Sequence, residues 1–242
     1  MLERLLLITA TKIEASPLDQ ITNWERLEFP FGELYKGTIP QTSLTVHLAH
    51  LGIGKVNTAA GLALAIKTLK PSSVIQFGIG GAYINSFLSI GMVMAATQDI
   101  HVDSGVRTTE GWQSMEQVGF ALLQKNRQRY FNSFPTDPTL TQFFIDALGI
   151  STGTFATSET ITGTFDESVV IEARHDASIE SMEGAAAAQV CLALGLPFAE
   201  IRSVSNIVGE RDKKNWNIPK AVQRVNEAVL ETLQAASKLK QN

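Results

Sequence analysis

Six short apolar segments constrain the fold of this chain more than any other feature of its sequence. They are bounded by turn residues and typical of buried strands, and they span residues 5–10, 44–51, 74–78, 92–96, 153–156 and 198–205. Helical periodicity marks three further stretches, at residues 56–69, 181–194 and 219–239. Strands that are apolar throughout must be covered on both faces, and alternating helices can cover them. The pattern predicts an α/β fold, a three-layer αβα sandwich around a central mixed, largely parallel sheet, built as one domain over residues 1–242.

Composition excludes several classes of protein. With 44% hydrophobic and 18% charged residues among 242, the chain can bury one substantial core. A formal net charge of -4 gives no overall attraction for nucleic acid, so we expect no such partner. Cys191 is the only cysteine, which rules out an internal disulfide framework. The N-terminal segment has no basic leader and no apolar run approaches membrane length, so we expect a cytoplasmic protein with no membrane partner.

Polar residues follow several of the predicted strands. They comprise Glu14, the segment "GIGGA" at 78–82, the segment "TSETIT" at 157–162, and Asn206. Ligands of α/β sheets bind beyond the carboxyl ends of the strands. These positions are therefore the candidates for a functional site. A second feature of the chain is the polar, aperiodic segment 97–120, which we expect to be a long functional loop.

Familiar nucleotide, metal and hydrolase motifs are incomplete. "LGIGKVN" has Ala49 and Val56 where a phosphate loop needs Gly and Ser or Thr, and "FGIGGAY" has Tyr83 where a dinucleotide fingerprint needs its third glycine. The four histidines lack metal-ligand spacing to a Cys or acidic cluster. No serine lies in a G-x-S-x-G elbow. We therefore expect no metal and no cofactor.

The segment "ESMEGAAAAQV" allows two interpretations. Glu180 and Glu183 are three residues apart, which is typical of capping and dipole interactions at the start of a helix. The four alanines that follow indicate a tightly packed helix, which would leave Glu183 at the edge of a buried layer and in need of a partner. A carboxylate beside a pocket is suited to accept hydrogen bonds from two vicinal hydroxyls. The residues alone leave both interpretations open.

Five segments in this order, Glu14, "GIGK", "GIGGA", "SMEG" and "RSVSN", resemble the nucleoside phosphorylase and nucleosidase superfamily over nearly the whole chain. The resemblance implies that Glu14 activates water and that Arg202 holds the water and a carboxylate. It implies that Glu183, with Met182 beside it, binds the ribose hydroxyls. The remaining substrate contacts that it implies are Ile79, Gly80 and Gly81 under the sugar and base, Ile161 and Thr162 at the purine, and Ser205 next to Asn206.

Two departures from the superfamily pattern bear on the reaction. The superfamily's phosphorylases carry one phosphate-binding arginine in the loop after the first strand and another two residues before the strand-end glycine. This chain has "TKIEASP" in that loop and Gln76 at the second of these positions. Water is then the expected nucleophile. Asn206 stands where adenine-specific nucleosidases have an aspartate. An amide matches the N7–H donor and the O6 acceptor of a departing 6-oxopurine, although it can also pair with neutral adenine.

Asn206 and the continuation "SNIVGERD" resemble the futalosine hydrolases of this superfamily, whose reaction belongs to an alternative menaquinone pathway. The resemblance implies a small nucleoside substrate, water, release of hypoxanthine and formation of dehypoxanthine futalosine. Arg107 and Trp112 are candidates for the aryl carboxylate of the substrate. The resemblance further implies a homodimer or higher homo-oligomer, in which segment 97–120 of one subunit covers the 5′ end of the nucleoside bound by its neighbour. Methylthioadenosine/S-adenosylhomocysteine nucleosidase, 6-oxopurine nucleoside phosphorylase and a non-catalytic nucleoside-binding protein stay open as alternatives.

Overall fold

A computed structural model describes residues 4–239, with the side chains of Ile21 and Leu239 left out. The N-terminal segment was predicted not to be a signal peptide, and its first residues, 1–3, lie outside the described part. The strands are β1 (Leu5–Thr9), β2 (Glu25–Leu27), β3 (Glu33–Thr38), β4 (Thr45–His50), β5 (Ser73–Ala82), β6 (Val93–His101), β7 (Gly105–Thr108), β8 (Gly111–Ser114), β9 (Leu123–Lys125), β10 (Gln128–Tyr130), β11 (Ser133–Pro135), β12 (Ser151–Thr157), β13 (Ala177–Ser181) and β14 (Phe198–Ile207). The helices are α1 (Ser16–Ile21), α2 (Lys55–Leu69), α3 (Met115–Val118), α4 (Pro138–Leu148), α5 (Phe165–His175), α6 (Gly184–Leu194) and α7 (Ile218–Leu239). Short 3-10 turns cover Lys12–Ala15, Ile84–Ser86 and Lys213–Asn215.

Ten strands form one mixed sheet. Nine of them follow the order β11-β6-β12-β13-β5-β1-β4-β3-β2, and β14 pairs with both β5 and β6. Within residues 4–239 its strand pairs divide evenly, five parallel and five antiparallel. The α/β fold and the mixed sheet are confirmed, but the sheet is less parallel than predicted. Continuous apolar runs favour parallel pairing but do not determine it, because direction depends on which distant strand becomes the neighbour.

Strand β1 shows why the apolar runs are buried. Leu5 and Leu7 point into a cluster that includes Val225 and Val229 of α7. Leu6 and Ile8 point the other way, into a cluster that includes residues of α2 and α6. This alternation is the ordinary geometry of a strand, and it means that helices cover both faces of the sheet at β1. A three-layer arrangement of the whole chain stays a prediction.

Two predicted boundaries are corrected. The segment "GIGGA" does not follow its strand but belongs to β5, which extends to Ala82 because β14 and β13 continue to pair with it. The segment 97–120 is not an unstructured loop. It contains the end of β6, the hairpin of β7 and β8, and α3. Local hairpin pairing satisfies the backbone there without the apolar periodicity on which sequence interpretation depends.

Helix α6 begins later than predicted. Residues 177–181 belong to β13, and Glu183 is the N-cap residue of α6. Among the described residues, no helix combines the length and the apolar character that a membrane span requires.

Candidate active site

One cavity of about 350 Å³ is lined by the residues that the resemblance assigns to the reaction, the ribose and the purine. It opens beyond β1, where β5, β13 and β14 supply much of its wall. The predicted residues that line it are Glu14, Ile79, Gly80, Gly81, Ile161, Thr162, Met182, Glu183, Arg202, Ser205 and Asn206. Residues separated by nearly two hundred positions therefore meet around a single space.

Glu14 enters the cavity from the 3-10 turn that follows β1. The Thr11 backbone N–H donates to Glu14 Oε2 at 2.9 Å, and the Ile79 N–H donates to Oε1 at 3.1 Å. Burial raises the pKa of Glu14, Arg202 lowers it, and the charge of Glu183 raises it further, with a net increase. The result is a fixed carboxylate that is more basic than an exposed one.

Gly78 of β5 makes room for this carboxylate. A Cβ atom at position 78 would lie 2.2 Å from Glu14 Oε1 and 2.8 Å from Arg202 Nη1. Both distances are shorter than real Cβ atoms tolerate, so the close approach of strand and carboxylate requires glycine.

Arg202 of β14 is almost fully buried and links three carboxylates. Its Nε donates to Glu200 Oε1 at 2.6 Å, and its Nη2 donates to Glu183 Oε2 at 3.2 Å. Its Nη1 lies 3.6 Å from Glu14 Oε1 and donates to the Ile79 carbonyl at 3.0 Å. Burial would lower the pKa of Arg202, but the three carboxylates raise it overall, so the guanidinium stays charged. The planar fork fixes the spacing of the acids around it.

Glu183 is a pocket carboxylate rather than a cap. It occupies the N-cap position of α6, yet its side chain makes no capping hydrogen bond there. Its Oε1 accepts the Gly54 N–H at 3.0 Å, and its Oε2 contacts Arg202 and the Met182 N–H. Of the two interpretations of "ESMEGAAAAQV", the partnered carboxylate is therefore the one that the structure supports.

Asp99 of β6 and Glu200 form a second acidic group behind Arg202, and both are fully buried. Asp99 Oδ1 and Glu200 Oε2 would each lie 2.2 Å from a Cβ atom on Gly184, so they face each other across that glycine. Within residues 4–239, neither oxygen of Asp99 has a hydrogen-bond partner, and Glu200 Oε2 has none either. Burial and then the charge of Glu200 raise the pKa of Asp99 well above its ordinary value. We infer that Asp99 is protonated and donates to Glu200.

A bulge in β14 aims two consecutive side chains at the cavity. The pairing of β14 with β5 shifts between Val204 and Asn206, so Ser205 and Asn206 both reach the cavity, although strand neighbours usually face opposite sides. Asn206 Oδ1 lies 2.8 Å from the Ser205 hydroxyl, and its Nδ2 donates to the Ile207 carbonyl at 2.9 Å. Each end of the amide keeps one further hydrogen-bonding position.

Glu180 lines the part of the cavity wall that β13 supplies. It lies in β13, and its Oε1 accepts the Thr162 N–H at 3.0 Å while Oε2 accepts from the Tyr83 hydroxyl at 2.9 Å. The Thr162 hydroxyl also donates to Glu180. Glu180 thus fixes the segment that carries Ile161 and Thr162. Its three-residue spacing from Glu183 had suggested a helix start, and only the strand pairing of β13 reveals this different role.

The two residues predicted to contact an aryl carboxylate lie outside the cavity of their own chain. Arg107 and Trp112 lie in the hairpin of β7 and β8 and do not line the cavity. Arg211 and Trp216 line it instead. Sequence reasoning missed this pair, although the polar segment that follows "RSVSN" places both residues just beyond a strand that leads into the site.

Comparisons with known proteins identify the family of this chain. A family model described as the phosphorylase superfamily matches residues 3–239. Futalosine hydrolase of Thermus thermophilus is 36% identical over 178 residues, which cover 74% of this chain and 76% of that protein. Futalosine hydrolase of Streptomyces coelicolor is 30% identical, with 74% of each chain covered.

A solved relative supports the same assignment. The 5′-methylthioadenosine/S-adenosylhomocysteine nucleosidase of Streptococcus pneumoniae, determined with 8-aminoadenine, aligns with a TM-score of 0.79 and 27% identity. The alignment covers 96% of this chain and 99% of that one. With the family model matching almost the entire length, the chain belongs to the phosphorylase superfamily.

Proposed function

We propose that this protein hydrolyses the N-glycosidic bond of futalosine and releases hypoxanthine and dehypoxanthine futalosine, a step of menaquinone biosynthesis. The observation that carries the proposal is the amide of Asn206 at the inner end of a cavity that also holds Glu14 and Glu183. The futalosine hydrolases among its relatives support the choice of nucleoside. At the coarser level, the protein is a hydrolase that acts on N-glycosyl bonds.

The charges around the cavity favour water over phosphate as the nucleophile. Among its described lining residues only Arg202 and Arg211 are cationic, and Arg202 is already occupied by three carboxylates. Gln76, at the superfamily's phosphate-arginine position, is buried in β5 and does not line the cavity. A phosphate dianion would meet Glu14 and Glu183 with little compensating positive charge.

In the proposed mechanism Glu14 is the general base. Its raised pKa brings it closer to neutral pH, where a base combines sufficient ionisation with strong proton affinity. Glu14 accepts a proton from a water molecule as that water attacks C1′ on the side opposite the purine. Glu183 accepts hydrogen bonds from the 2′- and 3′-hydroxyls. Arg202 is a positioning residue, because it sets the separation of these two carboxylates.

Asn206 acts on the leaving group. As the glycosidic bond breaks, negative charge develops on the purine and is relieved when N7 takes a proton from solvent water, and Glu14 later returns its proton to solvent. A 6-oxopurine then offers a donor at N7 and an acceptor at O6. Asn206 Oδ1 and Nδ2 each keep one free position after their bonds within the protein, so they match this pair. A departing adenine would present two donors, and one of them would face the amide NH₂.

The alternatives make different demands on the same residues. Nucleosidases for methylthioadenosine are also among the relatives, at 29% identity for the Haemophilus ducreyi enzyme, and they are the main competing function. A phosphorylase would need a phosphate-binding arginine at position 76, where this chain has Gln76. A non-catalytic binding protein would have no use for a carboxylate held like Glu14.

One experiment distinguishes all of these functions. The purified protein is incubated without phosphate with futalosine, inosine or methylthioadenosine, and the released base is identified by chromatography. We expect hypoxanthine from futalosine, and slower release from inosine because it lacks the 5′ substituent. Preferential release of adenine would refute the proposal, a strict need for phosphate would indicate a phosphorylase, and binding without turnover would indicate a binding protein.

Two further expectations belong to this proposal. We expect a homodimer or larger homo-oligomer in which the hairpin of β7 and β8 contributes to the interface. Light scattering coupled to size-exclusion chromatography would measure its mass, and a monomer of 242 residues would contradict the expectation. The cytoplasm is the proposed location, which fractionation of the source cells would test.

A further inference from the structure

Arg211 and Trp216 form a stacked pair that lines the active-site cavity. We infer that this pair is the subsite for the 5′ end of the nucleoside and that it selects a flat apolar substituent ending in a carboxylate. The inference rests on the proposed nucleosidase function and deepens it. Arg107 and Trp112, the pair expected from the sequence, do not line the cavity of their own chain.

The stacked pair is held by the segment 210–216. The Trp216 indole N–H donates to the Glu210 carbonyl at 3.0 Å. The Glu210 carboxylate accepts the Asp212 N–H at 2.7 Å and the Asn215 amide at 2.8 Å. The Arg211 guanidinium carbon lies 5.1 Å from the centre of the Trp216 ring. These bonds fix the ring plane, and the ring in turn orients the guanidinium.

Arg211 has a charge available for a ligand. No carboxylate lies within ion-pair distance of its guanidinium anywhere in the described residues 4–239. Arg202, the other cation of the cavity, already bonds Glu183 and Glu200. An anion that enters this cavity would therefore be attracted to Arg211, whereas the deeper carboxylates would repel it.

The surface around the pair is apolar. Four isoleucines line the cavity while exposing between 36% and 65% of their surface, and they are Ile13, Ile53, Ile161 and Ile218. Glu14 and Asn206, by contrast, are at most 9% exposed. The deep end of the cavity is thus polar and its mouth is apolar. Among the described lining residues, Arg211 is the one cation without a carboxylate partner.

The position of the pair identifies the part of the nucleoside that it meets. In the proposed mechanism Asn206 binds the purine and Glu183 binds the 2′- and 3′-hydroxyls. The 5′ substituent is then the part of the nucleoside left to extend towards the exposed mouth, where Arg211 lies. The isoleucines and the Trp216 ring suit a planar apolar group, and Arg211 suits a terminal carboxylate.

The test compares two nucleosides that differ only in this charge, futalosine and its methyl ester. We expect wild type to favour the acid by about tenfold in kcat/KM, which is modest because Arg211 is exposed to solvent. Arg211→Met should bring the acid and the ester to equal values of kcat/KM. Arg211→Lys should restore part of the preference.

Arg174→Met is the matched control. Arg174 lies 5.8 Å from the centre of the Trp112 ring and lines a different surface cleft, so its replacement removes a comparable stacked arginine elsewhere. It should keep the wild-type ratio of acid to ester. Trp216→Leu should lower kcat/KM for the acid and the ester alike, because the ring offers apolar surface to both substrates. The ratio is measured within each variant and therefore does not depend on how much of that variant folds.

The two hypotheses fail differently. Absence of hypoxanthine release from every nucleoside would refute the proposed function; the affinities of Glu14→Gln for acid and ester, measured by calorimetry, would then test the subsite directly. Equal values for acid and ester in wild type would overturn the subsite even if futalosine is cleaved. An unchanged ratio in Arg211→Met would do the same.

Discussion

Replacement of Asp99 by asparagine tests the buried pair behind Arg202. Asp99 and Glu200 are fully buried and face each other across Gly184. Burial and the charge of Glu200 raise the pKa of Asp99, so the folded protein keeps a proton that the unfolded chain releases above an ordinary pKa of about 3.9. An asparagine amide has nearly the same shape and can donate to Glu200 without taking up a proton.

The magnitude follows from proton linkage. A group whose pKa is raised in the folded state stabilises that state to the full extent below the pKa of the unfolded chain. This stabilisation is lost as the pH rises through the pKa of the folded state. For each pH unit over which only the folded state holds the proton, the free energy of unfolding falls by about 1.4 kcal/mol. Asp99→Asn removes this dependence. The free energy of unfolding of the variant should therefore rise, relative to that of wild type, by up to about 1.4 kcal/mol per pH unit above pH 4.

Urea unfolding at pH 5, 6 and 7 measures the effect. Asp103→Asn is the control, because Asp103 is half-buried and lies 2.6 Å from Lys55. Burial opposes ionisation of Asp103, but Lys55 lowers its pKa overall, so it is ionised in both states across this range. Its replacement should shift stability equally at all three pH values. Parallel curves for wild type and Asp99→Asn would refute the protonated pair.

The remaining predictions concern the cavity. Glu14→Gln should abolish hydrolysis while nucleoside binding persists, because the amide cannot accept the proton from water; substantial turnover would remove the general-base role. Asn206→Asp should lower kcat/KM for hypoxanthine nucleosides by about 100-fold and favour adenine ones, because a carboxylate oxygen would face O6 and the Ile207 carbonyl, and an unchanged base preference would exclude this role. Gly78→Ala should lower the free energy of unfolding by about 1–3 kcal/mol and abolish turnover, because its Cβ would collide with Glu14; wild-type stability in urea would contradict the packing.

Much of the candidate site could be predicted from the chain itself. Glu14 and Asn206 lie near the ends of apolar runs and Glu183 lies at the start of a small-residue helix, whereas Arg202 was assigned from the resemblance to the superfamily. Burial of those runs and the geometry of strand ends are local properties, so the resulting edge of the sheet, with its polar residues, follows from the sequence. The roles of these residues stay predictions until the assays above are done.

Other features depend on contacts between segments far apart in the chain. Five of the ten pairings in the main sheet are antiparallel because of which strands become neighbours, and the apolar pattern does not determine that choice. Asp99 acquires its raised pKa only when folding buries it opposite Glu200 and away from water.

The apolar pattern predicted six strands and three helices of this fold, and the polar positions at strand ends supplied several residues of the cavity. Strand β13 and helices α4 and α5 were not predicted. Tertiary structure alone decided that Arg202 links three acids and that Arg211 and Trp216, rather than Arg107 and Trp112, line the mouth. The reason is physical. Apolar periodicity records how a segment is buried, whereas the partners of a charge depend on distances that exist only after the chain has folded.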